Sequence, residues 1–153
     1  MELFKKLNYK GQKEVFILNW PEEFIPRKLE ISKLVEVRET VANHDTIDFV
    51  LVFVKSGEEI SQYSELILPK IKDDGIVWFA YPKKSSKKYK VAISRDIGWE
   101  TLGDYNFEPV RQISIDEDWS ALRFRKVEFI KSFTRGEENA ISAKGKARAT
   151  DNE

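Results

Sequence analysis

Phe49-Val50-Leu51-Val52-Phe53-Val54 is an unbroken apolar run, of the length expected for a strand covered on both faces. It leads into Ser56-Gly57-Glu58-Glu59, where the Ser56 hydroxyl can accept from the Glu59 amide while that carboxylate reaches back, a capping box that opens a helix. Ile60, Tyr63 and Ile67 mark one face of this helix. Pro69 stops it or tightens its last turn, and Asp73-Asp74-Gly75 reads as a reversal. Ile76-Val77-Trp78-Phe79-Ala80-Tyr81 then forms a second buried strand. Strand, helix and strand at this spacing predict a right-handed βαβ unit with two parallel strands side by side at the centre of a sheet.

Working outward, Val15-Phe16-Ile17-Leu18 is a further buried strand that ends at the turn Asn19-Trp20-Pro21. Between residues 22 and 34, Pro26 and scattered charges argue against a long helix and for a short irregular crossover. Val35, Val37 and Val41 suggest a half-exposed strand, and Asn43-His44-Asp45 a loop. On the other side, the basic loop Pro82 to Lys90 precedes a helix expected to start near Ser94 and to carry Ile97 and Leu102, with Gly98 weakening it. Pro109 is read as opening a strand with Ile113 and Ile115 on one face, Asp116-Glu117-Asp118 as a turn, and Leu122 and Phe124 as the returning strand of an antiparallel hairpin. The fold class expected is therefore α/β, Rossmann-like, with a mainly parallel open sheet and a C-terminal antiparallel hairpin. The domain is taken as residues 1 to 133. Residues 134 to 153 read as a polar, disordered tail, because Ile141 is their only large aliphatic.

Composition narrows the function classes. With 153 residues, 41% of them hydrophobic, the chain is long enough for one domain with its own core. Lys plus Arg equals Asp plus Glu at 26 each, so no global charge points to nucleic acid or an anionic membrane. There is no cysteine, which removes disulfides, thiolate metal sites and cysteine nucleophiles. His44 is the single histidine, leaving no metal-ligand cluster, and no Gly-x-Ser-x-Gly elbow supports serine catalysis. Asp116, Glu117 and Asp118 are consecutive in a turn and read as solvated rather than as a cation site. The first ten residues carry no long apolar stretch, and a cytoplasmic location is the expectation.

The order of elements, with Asp48 leading the first central strand and Leu68-Pro69-Lys70-Ile71-Lys72-Asp73-Asp74-Gly75 preceding the second, resembles the second half of a class I S-adenosylmethionine methyltransferase. More narrowly, Gly75-Ile76-Val77-Trp78 with Pro82-Lys83, and Asp118-Trp119-Ser120-Ala121 with Arg123, resemble a group of small bacterial proteins known as domain of unknown function 3052, over roughly residues 8 to 130. The methyltransferase resemblance implies a glycine-rich turn after the first strand, where backbone approaches the cofactor closely. Here that turn is Asn19-Trp20-Pro21-Glu22-Glu23. Trp20 and Pro21 fill space, and Glu22 and Glu23 place negative charge where related folds cradle a pyrophosphate.

No catalytic residue, cofactor or metal is therefore expected. The expected function is a non-catalytic binding or interaction module on a degenerate methyltransferase-like scaffold, without useful affinity for adenosylmethionine. The alternative is an enzyme that binds adenosylmethionine or a nucleotide through an atypical crevice, with Asn19, Asp48 and Tyr81 as its polar groups. Glu36 or Glu39 can be offered as a ribose-binding carboxylate at the end of the second strand, with a solvated strand charge as the competing role. Trp99 and Trp119 are read as packing anchors before ligand platforms. The candidate site is the loop after Tyr81, because it leaves the carboxyl end of a central strand and brings five lysines by Lys90. Its expected members are Lys83, Lys84, Ser85, Ser86, Lys87 and Lys88, with Tyr81 beside them and Asn19 and Trp20 across the crevice. The partner is an anionic small molecule or an acidic protein surface, against the plainer reading of a solubilising lysine loop.

Overall fold

The uninterrupted apolar runs become the interior of one sheet. A computed structural model describes residues 2–91, 93–94 and 98–130. Its strands are β1 (Glu14–Leu18), β2 (Glu36–Arg38), β3 (Ile47–Phe53), β4 (Ile71–Pro82), β5 (Phe107–Ser114) and β6 (Trp119–Lys126). They lie in the order β2-β1-β3-β4-β6-β5. β1 is parallel to both β2 and β3, and β3 is parallel to β4. β6 runs antiparallel between β4 and β5. The fold is thus the expected α/β, Rossmann-like sheet, with the hairpin at one edge and its returning strand inserted next to β4.

Two apolar layers sandwich the sheet. On one face α3 (Gly57–Ile67) and α4 (Glu100–Asp104) bring Ile60, Ile67 and Leu102 onto Val50, Val52, Val77 and Phe79. On the other, α1 (Glu2–Lys6) and α2 (Ile25–Ser32) bring Leu3, Phe4 and Ile31 onto Phe49, Leu51 and Trp78. Burial on both faces is why β3 and β4 show no polar alternation in sequence. The Trp78 indole donates to the Leu7 carbonyl at 2.8 Å, fastening the end of the N-terminal segment to the sheet.

Several local expectations are corrected. The crossover contains a real helix: α2 accommodates Pro26 in its first turn, where the missing N–H has no intrahelical acceptor to lose. Asp73-Asp74-Gly75 is not a reversal but a bulge inside β4, since pairing jumps from Ile47↔Ile71 to Phe49↔Ile76. A Cβ on Gly75 would stand 2.9 Å from Ile71 Cγ2 and 3.0 Å from the Ile47 carbonyl, so this bulge needs glycine. The capping box is half as expected. Ser56 Oγ accepts from the Glu59 amide at 3.1 Å, but the Glu59 carboxylate accepts from the Lys55 amide at 2.7 Å. β5 begins at Phe107 and carries Pro109 at a register shift on the edge of the sheet, where no ladder hydrogen bond is forfeited. The helix expected from Ser94 starts at Glu100, and Ile97 lies outside the described residues, as does the expected tail of residues 134 to 153.

Candidate functional site

Strand order reverses between β1 and β3, and open α/β sheets bind ligands outside the carboxyl ends of their strands at such a point. Asn19, at the end of β1, has φ 56, a left-handed conformation that asparagine tolerates. Its side-chain amide donates to the Phe53 carbonyl at 2.8 Å and to Glu59 Oε2 at 2.9 Å. The end of β1 is thereby strapped to the end of β3 and the first turn of α3. Lys28 Nζ stands 4.5 Å over the Trp20 ring and also pairs with Glu39. Glu39, one of the two carboxylates offered for a ribose, is thus engaged, and the other, Glu36, faces Arg38 at 3.5 Å.

Glu23 closes the other side of this turn. Its carboxylate accepts from the Tyr89 hydroxyl at 2.6 Å, the Trp119 indole at 2.9 Å and Lys88 Nζ at 3.0 Å. Partial burial pushes this carboxyl up, but the bonds from Tyr89, Trp119 and Lys88 outweigh it and hold the group at about 2. The Trp119 ring packs edge-on against Phe53 and Tyr89, with centroids 5.0 Å apart in both cases. Trp99 and Trp119 are both buried, in the packing role expected for them.

The lysine loop divides into framework and free charge. Ser86 is buried; its hydroxyl donates to Asp118 Oδ1 at 2.8 Å and accepts from the amides of Lys88 and Tyr89 at 3.2 and 3.0 Å. It shapes the turn and is withdrawn from ligand binding. Lys88 is taken by Glu23, and Lys83 Nζ donates to Ser114 Oγ at 2.6 Å. Lys84, Ser85 and Lys87 are exposed.

A hollow of about 430 Å³ opens over the ends of β4 and β6, lined by Tyr81, Lys83, Lys84, Ser85, Ser94, Gln112 and Ser120. Gln112 Nε2 donates to the Tyr81 hydroxyl at 2.9 Å within its lining. A neighbouring hollow of about 350 Å³ shares Lys83 and Lys84 and adds Tyr89, Lys90 and Val91. Another, of about 430 Å³, shares Lys90 and Val91 and reaches Ser56 and Gly57 at the start of α3. The hollows follow one another along the carboxyl ends of β3 and β4 and the amino end of β6.

Of the residues expected from sequence, the structure brings Tyr81, Lys83, Lys84 and Ser85 together here. Lys87 and Lys88 line a separate hollow with Ser85, Glu117 and Asp118. Asn19 and Trp20 sit at the filled turn after β1 instead of across a crevice. Asp48 is exposed near the start of β3, away from the carboxyl edge. Asp116 Oδ1 accepts from the amides of Asp118 and Trp119, both at 2.8 Å, and so orders the turn. Sequence reasoning missed Ser94, Gln112 and Ser120. The hairpin register holds the signal for Ser120, which pairs with Tyr81, but the order of β6 and β5 beside β4 has to be known first.

No protein-family model and no curated protein sequence matches the chain. Among solved structures, the chain is similar to an S-adenosylmethionine-dependent methyltransferase from Aquifex aeolicus, with 14% identity and a TM-score of 0.51, covering 82% of this chain and 88% of that one. It is also similar to a putative type 11 methyltransferase from Sulfolobus solfataricus, with 12% identity and a TM-score of 0.48, covering 88% and 96%. The first likeness bears out the methyltransferase-like, Rossmann-like fold. It also corrects the expectation of a non-catalytic module, because the similar structure is that of a methyltransferase. The filled turn after β1 removes one ligand position and leaves the hollows over β4 and β6 open. Among the described residues, no helix is long and apolar enough to cross a membrane.

Proposed function

We propose that the chain is an atypical enzyme of the methyltransferase-like class, binding adenosylmethionine or a nucleotide over the carboxyl end of β4 and the adjacent amino end of β6. The observation that carries this reading is the hollow of about 430 Å³ lined by Tyr81, Lys83, Lys84, Ser94, Gln112 and Ser120. Its size lies within the roughly 300–1,000 Å³ of small-molecule sites, and it opens at the carboxyl end of β4, the edge of the sheet on which open α/β folds bind ligands. The hydroxyls of Tyr81, Ser94 and Ser120 and the Gln112 amide suit a ribose and the edge of a base. Lys83 and Lys84 suit a carboxylate or a phosphate. Asn19, Trp20 and Glu23 are committed to contacts that hold the fold, so the turn after β1 does not fit the cofactor and the donor set of the hollow does. When bound, adenosylmethionine supplies an electrophilic methyl group; the side chains around it bind and orient.

The finer kinship, to the bacterial domain of unknown function 3052 group, belongs to this proposal and rests on Gly75-Ile76-Val77-Trp78 and Asp118-Trp119-Ser120-Ala121. So do a cytoplasmic location, a domain boundary near residue 133, and an anionic small molecule as the partner of the Lys83 to Lys88 loop, in preference to an acidic protein surface. Thermal shift and isothermal calorimetry with adenosylmethionine, adenosylhomocysteine and ATP provide the test. The expected result is a dissociation constant of roughly 10 µM or tighter for one of them, at least about tenfold weaker in Tyr81→Phe or Lys84→Ala. Absence of both heat and stabilisation with all three at about 1 mM rejects the reading.

A further inference from the structure

The outer strands carry a second cationic cluster, on the opposite face of the sheet from the hollow. Trp119 and Ala121 of β6 point into the layer beneath α1 and α2, and strand alternation puts Arg123 and Arg125 on that same face. Arg111 of β5 stands directly opposite Arg123 in the register. Asp74, from the bulge in β4, is taken by Arg125: Nε reaches Oδ1 at 2.9 Å and Nη2 reaches Oδ2 at 2.6 Å. Glu108, opposite Arg125, is buried and already engaged.

Arg123 is left over. Its Nε is buried and has no hydrogen-bond partner among the described residues. Burial lowers the affinity of this guanidinium for its proton, Arg125 and Arg111 lower it further, and Asp74 offsets part of that. A buried cationic N–H without an acceptor is costly, and like charges directly opposite on a sheet repel. An anion held by the terminal guanidinium nitrogens of the two side chains would offset the repulsion and draw the Arg123 fork, buried at Nε, into a satisfied arrangement. Guanidinium groups, with their planar fork of donors, select an oxyanion with several acceptor oxygens.

We propose that Arg111 and Arg123 form a binding site for a phosphate-type oxyanion on the outer face of β5 and β6, independent of the ligand hollow. The phosphate belongs either to a small phosphorylated molecule or to a phosphodiester chain. The test follows the arginine Nε–H signals of the full chain by ¹⁵N NMR, titrating sodium phosphate against sodium chloride at matched ionic strength. The Arg123 signal moves with phosphate and not with chloride, saturating at roughly millimolar concentration, as one or two charged hydrogen bonds allow. In Arg111→Gln, a change at an exposed residue that leaves the fold intact, binding weakens by about tenfold. Glycerol phosphate and a short oligonucleotide, compared at equal phosphate concentration, separate the sources. Equal affinity identifies a small molecule, and a gain of about tenfold or more for the oligonucleotide identifies the chain. No movement of the Arg123 signal up to about 50 mM phosphate overturns the site. The same movement with chloride, or an unchanged titration in Arg111→Gln, overturns it equally.

Discussion

Of the connections that leave the carboxyl edge of the sheet, those after β1 and after β4 use their polar residues in opposite ways. After β1, Asn19 is spent on Phe53 and Glu59, and Glu23 on Lys88, Tyr89 and Trp119. After β4, Ser86 and Lys88 do similar framework work, while Lys84 and Ser85 stay exposed beside the hollow. The first connection has exchanged ligand contacts for folding contacts. The second keeps both, within a few residues of each other. Charge on a loop is therefore not evidence of a site until each charge has been traced to its partner.

The largest effect that would test this contrast is at Trp119, where Glu23 of the first connection and Tyr89 of the second meet beside Phe53 of β3. Trp119→Ala removes a fully buried ring and leaves a cavity, with an expected loss of about 3–5 kcal/mol in denaturant unfolding. A loss below about 1.5 kcal/mol would mean that the two connections are not joined through this side chain.

Next is Glu23, whose carboxyl is held at about 2 against an ordinary 4.5. Because the folded-state value is depressed, the unfolded chain takes up its proton first as the solution is acidified. The stability this group contributes is complete above the ordinary value and lost as pH falls from about 4.5 through about 2. Glu23→Gln is expected to be less stable at neutral pH by about 1 kcal/mol, a figure already reduced for solvent screening. Its stability should also fall less steeply than that of the natural chain across that acidic window. Parallel pH profiles for the two proteins would show that Glu23 is not the latch between the connections.

Much of the fold was legible because burial on both faces leaves a simple trace: the runs Phe49 to Val54 and Ile76 to Tyr81 have nothing polar to hide. The bulge at Asp73 to Gly75 was not, because a bulge and a reversal draw on the same residues and only the pairing partner tells them apart. Pro26 misled for a related reason, since a proline breaks a helix interior yet suits its first turn. Half of the candidate site was readable from the lysine loop. Ser94, Gln112 and Ser120 come from segments that meet Tyr81 only once β6 is inserted beside β4, a long-range fact that local pattern does not carry. Glu23 was read as charge against a phosphate, and its three donors lie 65 to 96 residues away.

The smallest expected effect separates Lys84 from Lys88, four positions apart in the same loop. Lys88 Nζ lies 3.0 Å from Glu23, on a side chain 55% exposed, so the pair is screened and Lys88→Ala should lower the unfolding midpoint by only about 1–3 °C. Lys84 has no such partner among the described residues and is exposed beside the hollow, so Lys84→Ala should leave the midpoint within about 1 °C. Ligand binding should rank them the other way, because the charge that holds the fold is already neutralised by Glu23 and the free one is not. Calorimetry on both variants with the ligand that stabilises the natural chain measures this directly. Equal losses of binding would mean that the loop acts as a diffuse positive field, and the division of its lysines into framework and site would fail.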